Sequence, residues 1–255
     1  MHYQNNNLSK VVLRFDFDPL LALQSNIQID VKPEFSRRIE GIFPYVIGQP
    51  IATFSFNMGP TGSGVTEQIM GIQWHHRKVE NGTIVIVLGP TFLAIEYGKN
   101  DYHHFPPFRA EVNEVLIAFQ TLYQVPIFTR IGLRYINEII FAEGNPLDWD
   151  NFIAPDLITA VKACTTEEMN MVRSMHQLHV RKNDSIVVFN YGLSNPDFPN
   201  TLARRVFVLD YDSSQVGVAP NDALNSLDEL NKISESMFEK SIENGLRATM
   251  GEVTQ

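Results

Sequence analysis

Cysteine is nearly absent from the sequence, where Cys164 stands alone among 255 residues. A single cysteine excludes an internal disulfide and any zinc site built from several cysteines, and it favours a reducing compartment. The first ten residues lack the apolar core of a signal peptide. The longest apolar stretch, at 83–95, is interrupted by Gly89 and Pro90 and is too short to span a bilayer. We therefore expect a soluble, cytoplasmic protein with no membrane contact.

Positive charge is also scarce. The chain has 20 Lys and Arg against 29 Asp and Glu, a net charge of −9. Residues 1–125 hold 9 basic and 11 acidic residues, so residues 126–255 hold 20 − 9 = 11 basic and 29 − 11 = 18 acidic ones. An acidic second half repels a phosphate backbone, which disfavours nucleic acid as a partner. The hydrophobic fraction of 44% is that of a folded globular protein.

Catalytic and metal-binding signatures are missing as well. The sequence has no G-x-S-x-G elbow and no H-E-x-x-H motif. The histidine pairs at 75–76 and 103–104 cannot chelate as units on a strand, because adjacent residues point to opposite faces. The acids of "FDFD" (15–18) and "LDYD" (209–212) have the spacing of a cation or acid–base pair, although Pro19 and Ser213-Ser214 favour strand ends. We predict no catalytic residues, no cofactor and no metal.

The segment "GPTGSGVT" (59–66) nearly matches a phosphate-binding loop. It has the two glycines and the threonine of G-x-x-x-x-G-K-[ST], but Val65 replaces the lysine. The residues that follow have a strand pattern, whereas a phosphate loop requires a helix there. We interpret the segment as a glycine-rich connection between two strands.

The two halves of the chain repeat one pattern. "LRFDF" (13–17) returns as "LRYIN" (133–137), "QWHHRK" (73–78) as "QLHVRK" (177–182), and "FLAIEY" (92–97) as "FVLDY" (207–211). Helix-like stretches lie in matching places, at 33–46 and 106–123 in the first half and at 147–163 and 223–250 in the second. Two unrelated halves could share apolar strand residues, but a core does not dictate the polar Gln-x-His-x-Arg-Lys match.

This repetition predicts an α+β fold made by internal duplication of a β-α-β(3-4)-α unit. Residues 1–125 would form the first repeat, with an added strand at 51–58, and residues 126–255 the second, in one pseudo-symmetric globular unit. Units of this kind join edge to edge into one antiparallel sheet with helices on one face. The topology is similar to TATA-box-binding-like or helix-grip-like folds, a likeness that by itself carries no function.

Two motifs point to a family. "GLRYINEI" (132–139) and "FEKSIENGLRATMGE" (238–252) resemble a sporadically distributed bacterial family of about this length and element order. The resemblance covers nearly the whole chain. It implies no activity, cofactor or catalytic residues, because the family has none established. A patchy distribution implies a link to bacterial defence or conflict systems.

Polar side chains alternate along the matched strands, so one face of the sheet should be polar. The candidate binding residues on that face are Arg14, Gln73, His75, Arg77, Arg134, Gln177, His179 and Arg181. Arginine and histidine donors suit a carboxylate-bearing peptide or another anion, whereas the simplest alternative is an ordinary solvated sheet face.

The leading hypothesis is therefore a non-enzymatic binding or regulatory module, a monomer or homodimer, that engages a protein segment or a small anionic ligand. One alternative is a hydrolase or transferase that uses the Arg/His face. Another is nucleic-acid binding through a saddle-shaped sheet, which the few lysines disfavour.

Overall fold

The computed structural model describes residues 3–24, 32–59, 62–164 and 170–251, with the backbone alone at 24, 52–59 and 62–70. Its strands are β1 (Leu8–Asp16), β2 (Tyr45–Gly59), β3 (Gly62–Arg77), β4 (Val85–Gly89), β5 (Phe92–Gly98), β6 (Phe128–Phe141), β7 (Ser174–Lys182), β8 (Ser185–Leu193) and β9 (Arg205–Val218). Its helices are α1 (Leu21–Gln24), α2 (Glu34–Ile39), α3 (Phe105–Tyr123), α4 (Pro155–Cys164), α5 (Ala223–Ser241) and α6 (Asn244–Met250). The protein is α+β, as predicted.

The strands form one antiparallel sheet in the order β2-β3-β4-β5-β1-β6-β9-β8-β7. The first strands of the two sequence halves, β1 and β6, pair in the middle, with Leu13 directly opposite Leu133. Outward from that pair, one side continues through β5, β4, β3 and β2 and the other through β9, β8 and β7. Strand β7 is therefore one edge of the sheet.

The core lies between the sheet and the helices. Alternate strand residues such as Val11, Leu13 and Phe15 are fully buried in it, as the period of two requires. Two clusters of buried side chains fill this layer. The first lies under α2 and α3 and includes Leu227 and Leu230 of α5. The second lies under α4 and α6 and is centred on Trp149 and Tyr211. Among the described residues, no helix is long and apolar enough to cross a membrane.

Helix α3 begins and ends where the sequence predicts. Pro106 and Pro107 lie in its first turn, where the missing N–H groups cost no hydrogen bond. Gln124 ends it in a left-handed conformation, and the Gln124 N–H donates to the Gln120 carbonyl oxygen.

The last helical stretch is divided, contrary to the single helix expected at 223–250. Ile242 adopts an extended conformation and bridges Ile153. Beyond it, a Cβ atom at Gly245 would lie 2.5 Å from the Asn151 carbonyl oxygen. The pairing and the close approach separate α5 from α6. In the predicted helical stretch at 147–163, α4 begins at Pro155, the residue at which the sequence predicts that this helix is divided or restarted.

Candidate functional site

All eight candidate residues lie on the face opposite the helices, which we call the open face. In β3 the alternating partners Trp74 and His76 are buried in the core, so Gln73, His75 and Arg77 point the other way. In β7 the pairs Leu178–Phe189 and Val180–Val187 lie on the helix side. The same parity therefore puts Gln177, His179 and Arg181 on the open face with Arg14 and Arg134.

The structure does not bring these residues into one cluster. Strands β3 and β7 are the second and ninth strands of the sheet. At about 4.8 Å between neighbouring strands, the candidate residues of β3 lie about 34 Å from those of β7. We call these two sets the polar strips. Arg14 and Arg134 lie between them, in the middle of the sheet.

The strand register nevertheless places each strip at the same position relative to the central strands β1 and β6. Crossing the sheet from His75, the paired residues are Val87, Ala94 and then Arg14. Crossing from His179, they are Val188, Asp212 and then Arg134. Each strip is thus three strands away from the arginine of its own half.

The central arginines are neutralised by acids. Arg134 forms a bidentate pair with Asp210, with N···O distances of 2.8 and 2.7 Å, and the Asp210 side chain is only 7% exposed. Arg14 donates to Asp16 over 2.7 Å, and Arg130 lies between Asp16 and Asp212. The adjacent Asp210 raises the pKa of Arg134. A small anion would have to displace these carboxylates.

Gly132 makes room for that ion-pair network. A Cβ atom at this position would lie 2.3 Å from a guanidinium nitrogen of Arg130. The Arg130 side chain therefore crosses directly over the Gly132 backbone on its way to Asp212, 2.8 Å away. The glycine of the "GLRYINEI" motif thus has a structural explanation.

A hydrogen-bonded ladder continues from Arg134 to the sheet edge. Asn190 donates to Asp210 over 3.1 Å, Gln177 donates to Asn190 over 2.8 Å, and the His179 ring lies 3.1 Å from the Gln177 side-chain oxygen. The ladder joins Arg134, Gln177 and His179 of the candidate set across four strands. Arg181 has no carboxylate partner among the described residues.

The first-half strip has no such ladder. Among the described side chains, the Gln73 amide donates a hydrogen bond only to Gln49 of β2, over 3.4 Å. Burial, reinforced by Arg77 and opposed by Glu96, lowers the pKa of His75, and the His75 Nε2 atom has no hydrogen-bond partner among the described residues. The first-half strip does not lie at an edge of the sheet, because β2 pairs with the outer side of β3.

Strand β7 has a feature that the sequence analysis missed. From Arg173 to Lys182 the chain contains three basic residues, two histidines and no acid. Of the strands that the structure describes, β7 pairs only with β8, and seven of its nine residues are exposed. The charge run could have been noticed in the sequence, but the edge position depends on the sheet order.

The paired acids of "LDYD" form ion pairs with arginines. Asp210 and Asp212 lie inside β9, which continues to Val218, so the expectation that they mark a strand end is wrong. Both are paired with arginines. Among the described side chains, no three His, Cys, Asp or Glu residues are grouped to hold a metal ion.

The glycine-rich segment at 59–66 connects β2 to β3, as predicted. Gly59 pairs with Gly62, and β3 follows directly where a phosphate loop would have a helix. Pro60 and Thr61 lie outside the described residues.

No protein-family model matches this chain, and no curated protein matches it either.

Proposed function

We propose that the protein is a non-enzymatic binding module that adds an extended, acidic segment of a partner protein to edge strand β7. One observation carries the proposal: β7 is a basic strand that, among the described strands, is paired on one side only. The partner segment would form a tenth strand of the sheet.

The backbone of β7 supplies the attachment. An edge strand presents a row of unpaired N–H and C=O groups to any chain beside it, and an added strand gains main-chain hydrogen bonds along that row. Nine residues, Ser174–Lys182, are regular enough to pair throughout with β8. A partner strand of similar length would therefore find a continuous row of donors and acceptors.

Charge selects the partner. The three basic residues Arg173, Arg181 and Lys182 are exposed in a chain whose net charge is −9. Acidic side chains on the added strand would lie beside them, which speeds association and rejects basic segments. A second copy of β7 is a poorer occupant, since two such strands would bring like charges together.

We also propose that the chain arose by internal duplication. The duplication explains why, among the described strands, none pairs with the outer side of β7. The strand order on either side of the β1–β6 pair supports it, as do the equivalent rows that join His75 to Arg14 and His179 to Arg134. In this correspondence β7 matches β3. Strand β3 has β2 on its outer side, whereas no strand in the described part of the chain pairs with the outer side of β7.

One sequence match does not fit that register. Glu96 lies opposite Val12, whereas Asp210 lies opposite Ile136. If Leu13 corresponds to Leu133, Glu96 corresponds to Ser214 instead. The match of 92–97 with 207–211 is therefore displaced by four residues and adds no support to the duplication.

The alternatives receive less support from the geometry. A small anion at the sheet centre meets arginines that already hold acids. An enzyme that used both histidines would need groups about 34 Å apart to act on one substrate. Nucleic acid would find no excess of positive charge at the centre of the sheet, because the basic residues there are paired with acids. The basic residues are Lys10, Arg14, Arg130 and Arg134, and the acids are Asp16, Glu96, Asp210 and Asp212.

Peptide selection tests the proposal. Twelve-residue peptides would be selected from a random display library on the full chain, and their affinities measured by fluorescence anisotropy. We expect acidic peptides without central proline, whose affinity falls with added salt. Arg181→Glu should weaken binding at least about tenfold, as expected for a lost charge-assisted contact.

Arg77→Glu is the matched control, because Arg77 occupies the corresponding place on the covered strand β3. It should leave the affinity unchanged. Enrichment of neutral or basic peptides, an equal loss in the two variants, or no enrichment at all would each overturn the proposal, as would displacement of the peptides by an oligonucleotide with higher affinity.

A further inference from the structure

A cavity of about 150 Å³ lies on the helix side of the sheet, separate from β7. Its floor is the middle of the sheet, with Tyr135 of β6 and Tyr211 of β9, and its roof includes Glu235 and Phe238 of α5. The segment before α3, with Tyr102, forms one wall. A cavity of this size accommodates a ring about as large as benzene.

The hydroxyl groups of Tyr102 and Tyr135 in the cavity have defined hydrogen-bond directions. Tyr135 donates to the Asn231 side-chain oxygen over 2.8 Å. The proton of the Tyr102–Tyr135 contact, 3.0 Å long, therefore belongs to Tyr102. Both phenols keep acceptor lone pairs but have no proton left to donate. The arrangement suits a ligand that brings its own donors.

Tyr211 provides an independent sign of a missing partner. Its ring is fully buried, and its hydroxyl has no hydrogen-bond partner among the described residues. The Ser241 hydroxyl, which donates to the Met237 carbonyl oxygen over 2.8 Å, lies close enough to Tyr211 to oppose the rise that burial causes in the pKa of Tyr211. A polar group bound in the cavity would give this hydroxyl a partner of normal hydrogen-bond geometry.

The charge in the cavity is negative. Glu235 and Glu239 lie one turn apart on α5 and both line it, whereas the basic side chains that line it among the described residues are two histidines, His103 and His104. Glu239 accepts hydrogen bonds from Tyr3 and from Arg247. Burial, and then the nearby charge of Glu235, raises the pKa of Tyr102 to about 12. Burial also raises the pKa of Tyr135, and the Glu235 charge contributes to that rise. An anionic ligand would be repelled here.

We propose that this cavity binds a small organic cation, an amine whose ammonium group faces Glu235 and whose apolar body lies among Tyr102, Tyr135 and Phe238. Aromatic faces attract such cations as well as apolar groups. Polar groups converging in an apolar cavity are the usual form of a small-molecule site.

Three probes of one shape test this inference: 2-phenylethylamine, 2-phenylethanol and phenylacetate. Binding to the full chain would be measured by ligand-observed NMR at neutral pH. We expect the amine to bind at least about tenfold more tightly than the alcohol, since a charge-assisted contact contributes that much, and the acid not to bind. Equal binding of amine and acid, or no binding of the amine, would overturn the inference.

A variant locates the site. Glu235→Gln keeps the side-chain shape and should reduce amine affinity about tenfold while leaving the alcohol unchanged. Glu114→Gln, at an exposed position of α3 outside the cavity, should change neither. If Glu235→Gln unfolds the chain, saturation-transfer contacts between the amine and the tyrosine rings of the unaltered protein decide the question. Absence of those contacts would contradict the inference.

Discussion

Strands β3 and β7 have the same polar pattern, Gln-x-His-x-Arg-Lys, but different surroundings. In β3 the other face carries Trp74 and His76, which are 5% and 0% exposed, and His76 contacts Ser36 and Phe35 of α2. In β7 the same places hold Leu178 and Val180, which are 46% and 41% exposed. Strand β2 covers the outer side of β3, whereas β7 is the edge of the sheet. The same pattern thus lies on a strand packed inside the sheet in β3 and on an exposed edge strand in β7.

The largest expected difference is in packing. Trp74→Ala should lower the free energy of unfolding by about 3–5 kcal/mol, because it empties a large buried volume. Leu178→Ala should cost less than about 1 kcal/mol, since its side chain is already half in water. Urea unfolding of both variants measures the difference, and equal losses would contradict the contrast between the strands.

The next difference is in pH dependence. His76 accepts a hydrogen bond from Ser36 at Nε2, 2.8 Å away, and donates from Nδ1 to the Ile86 carbonyl oxygen, 3.2 Å away. Burial lowers the pKa of His76 to about 4. The unfolded state, with a pKa near 6.5, therefore binds the proton first, and stability falls as pH drops from 6.5 towards 4.

Between pH 7 and pH 5 this group should remove about 2 kcal/mol of stability. His76→Val, which introduces the residue found at the β7 counterpart, should abolish that part of the pH dependence although it costs stability at pH 7. His179→Val, at the exposed edge, is the control and should keep the full dependence. Unfolding by urea at the two pH values provides the measurement, and an unchanged slope in His76→Val would refute this role for the histidine.

A smaller difference is expected between the arginines. Arg134→Ala leaves the nearly buried Asp210 without its bidentate partner and should cost about 1 kcal/mol, a value reduced by the exposure of Arg134. Arg181→Ala, without a carboxylate partner, should stay within about 0.5 kcal/mol of the parent. Thermal unfolding of the two variants ranks them, and a reversed order would show that the central ion pairs do not stabilise the sheet.

The smallest difference concerns the glutamines. Gln177→Ala interrupts the ladder between His179 and Asn190 and should cost about 0.5 kcal/mol. Gln73→Ala removes only a long, exposed contact with Gln49 and should have no measurable effect. A double-mutant cycle of Gln177 with Asn190 measures the interaction free energy between these two side chains. A coupling of zero would mean that the ladder is not cooperative.

Local patterns predict much of this fold and little of its site. The period of two in "QWHHRK" identifies which side chains of β3 face the core, and Pro106 with Pro107 fixes the beginning of α3. These features depend on neighbouring residues alone. The division between α5 and α6 could not be predicted, since it depends on Ile153 and Asn151, about 90 residues away in the chain.

The site depends on the sheet order in the same way. Arg134 and Asp210 are 76 residues apart in sequence, and nothing near either residue predicts that they pair. The polar face was predicted with its eight residues, but as a source of free cationic donors. The ion pairs neutralise the central donors, and the edge position of β7 gives its three basic residues their significance.

Hydrogen exchange at the β7 amides tests the central claim most directly. Exchange would be followed residue by residue, with and without a saturating acidic peptide obtained by selection. Strand addition predicts that alternate amides between 174 and 182, those that point away from β8, become protected at least about tenfold, while the amides of β3 do not change. Protection confined to another surface, with β7 exchanging as before, would contradict the account.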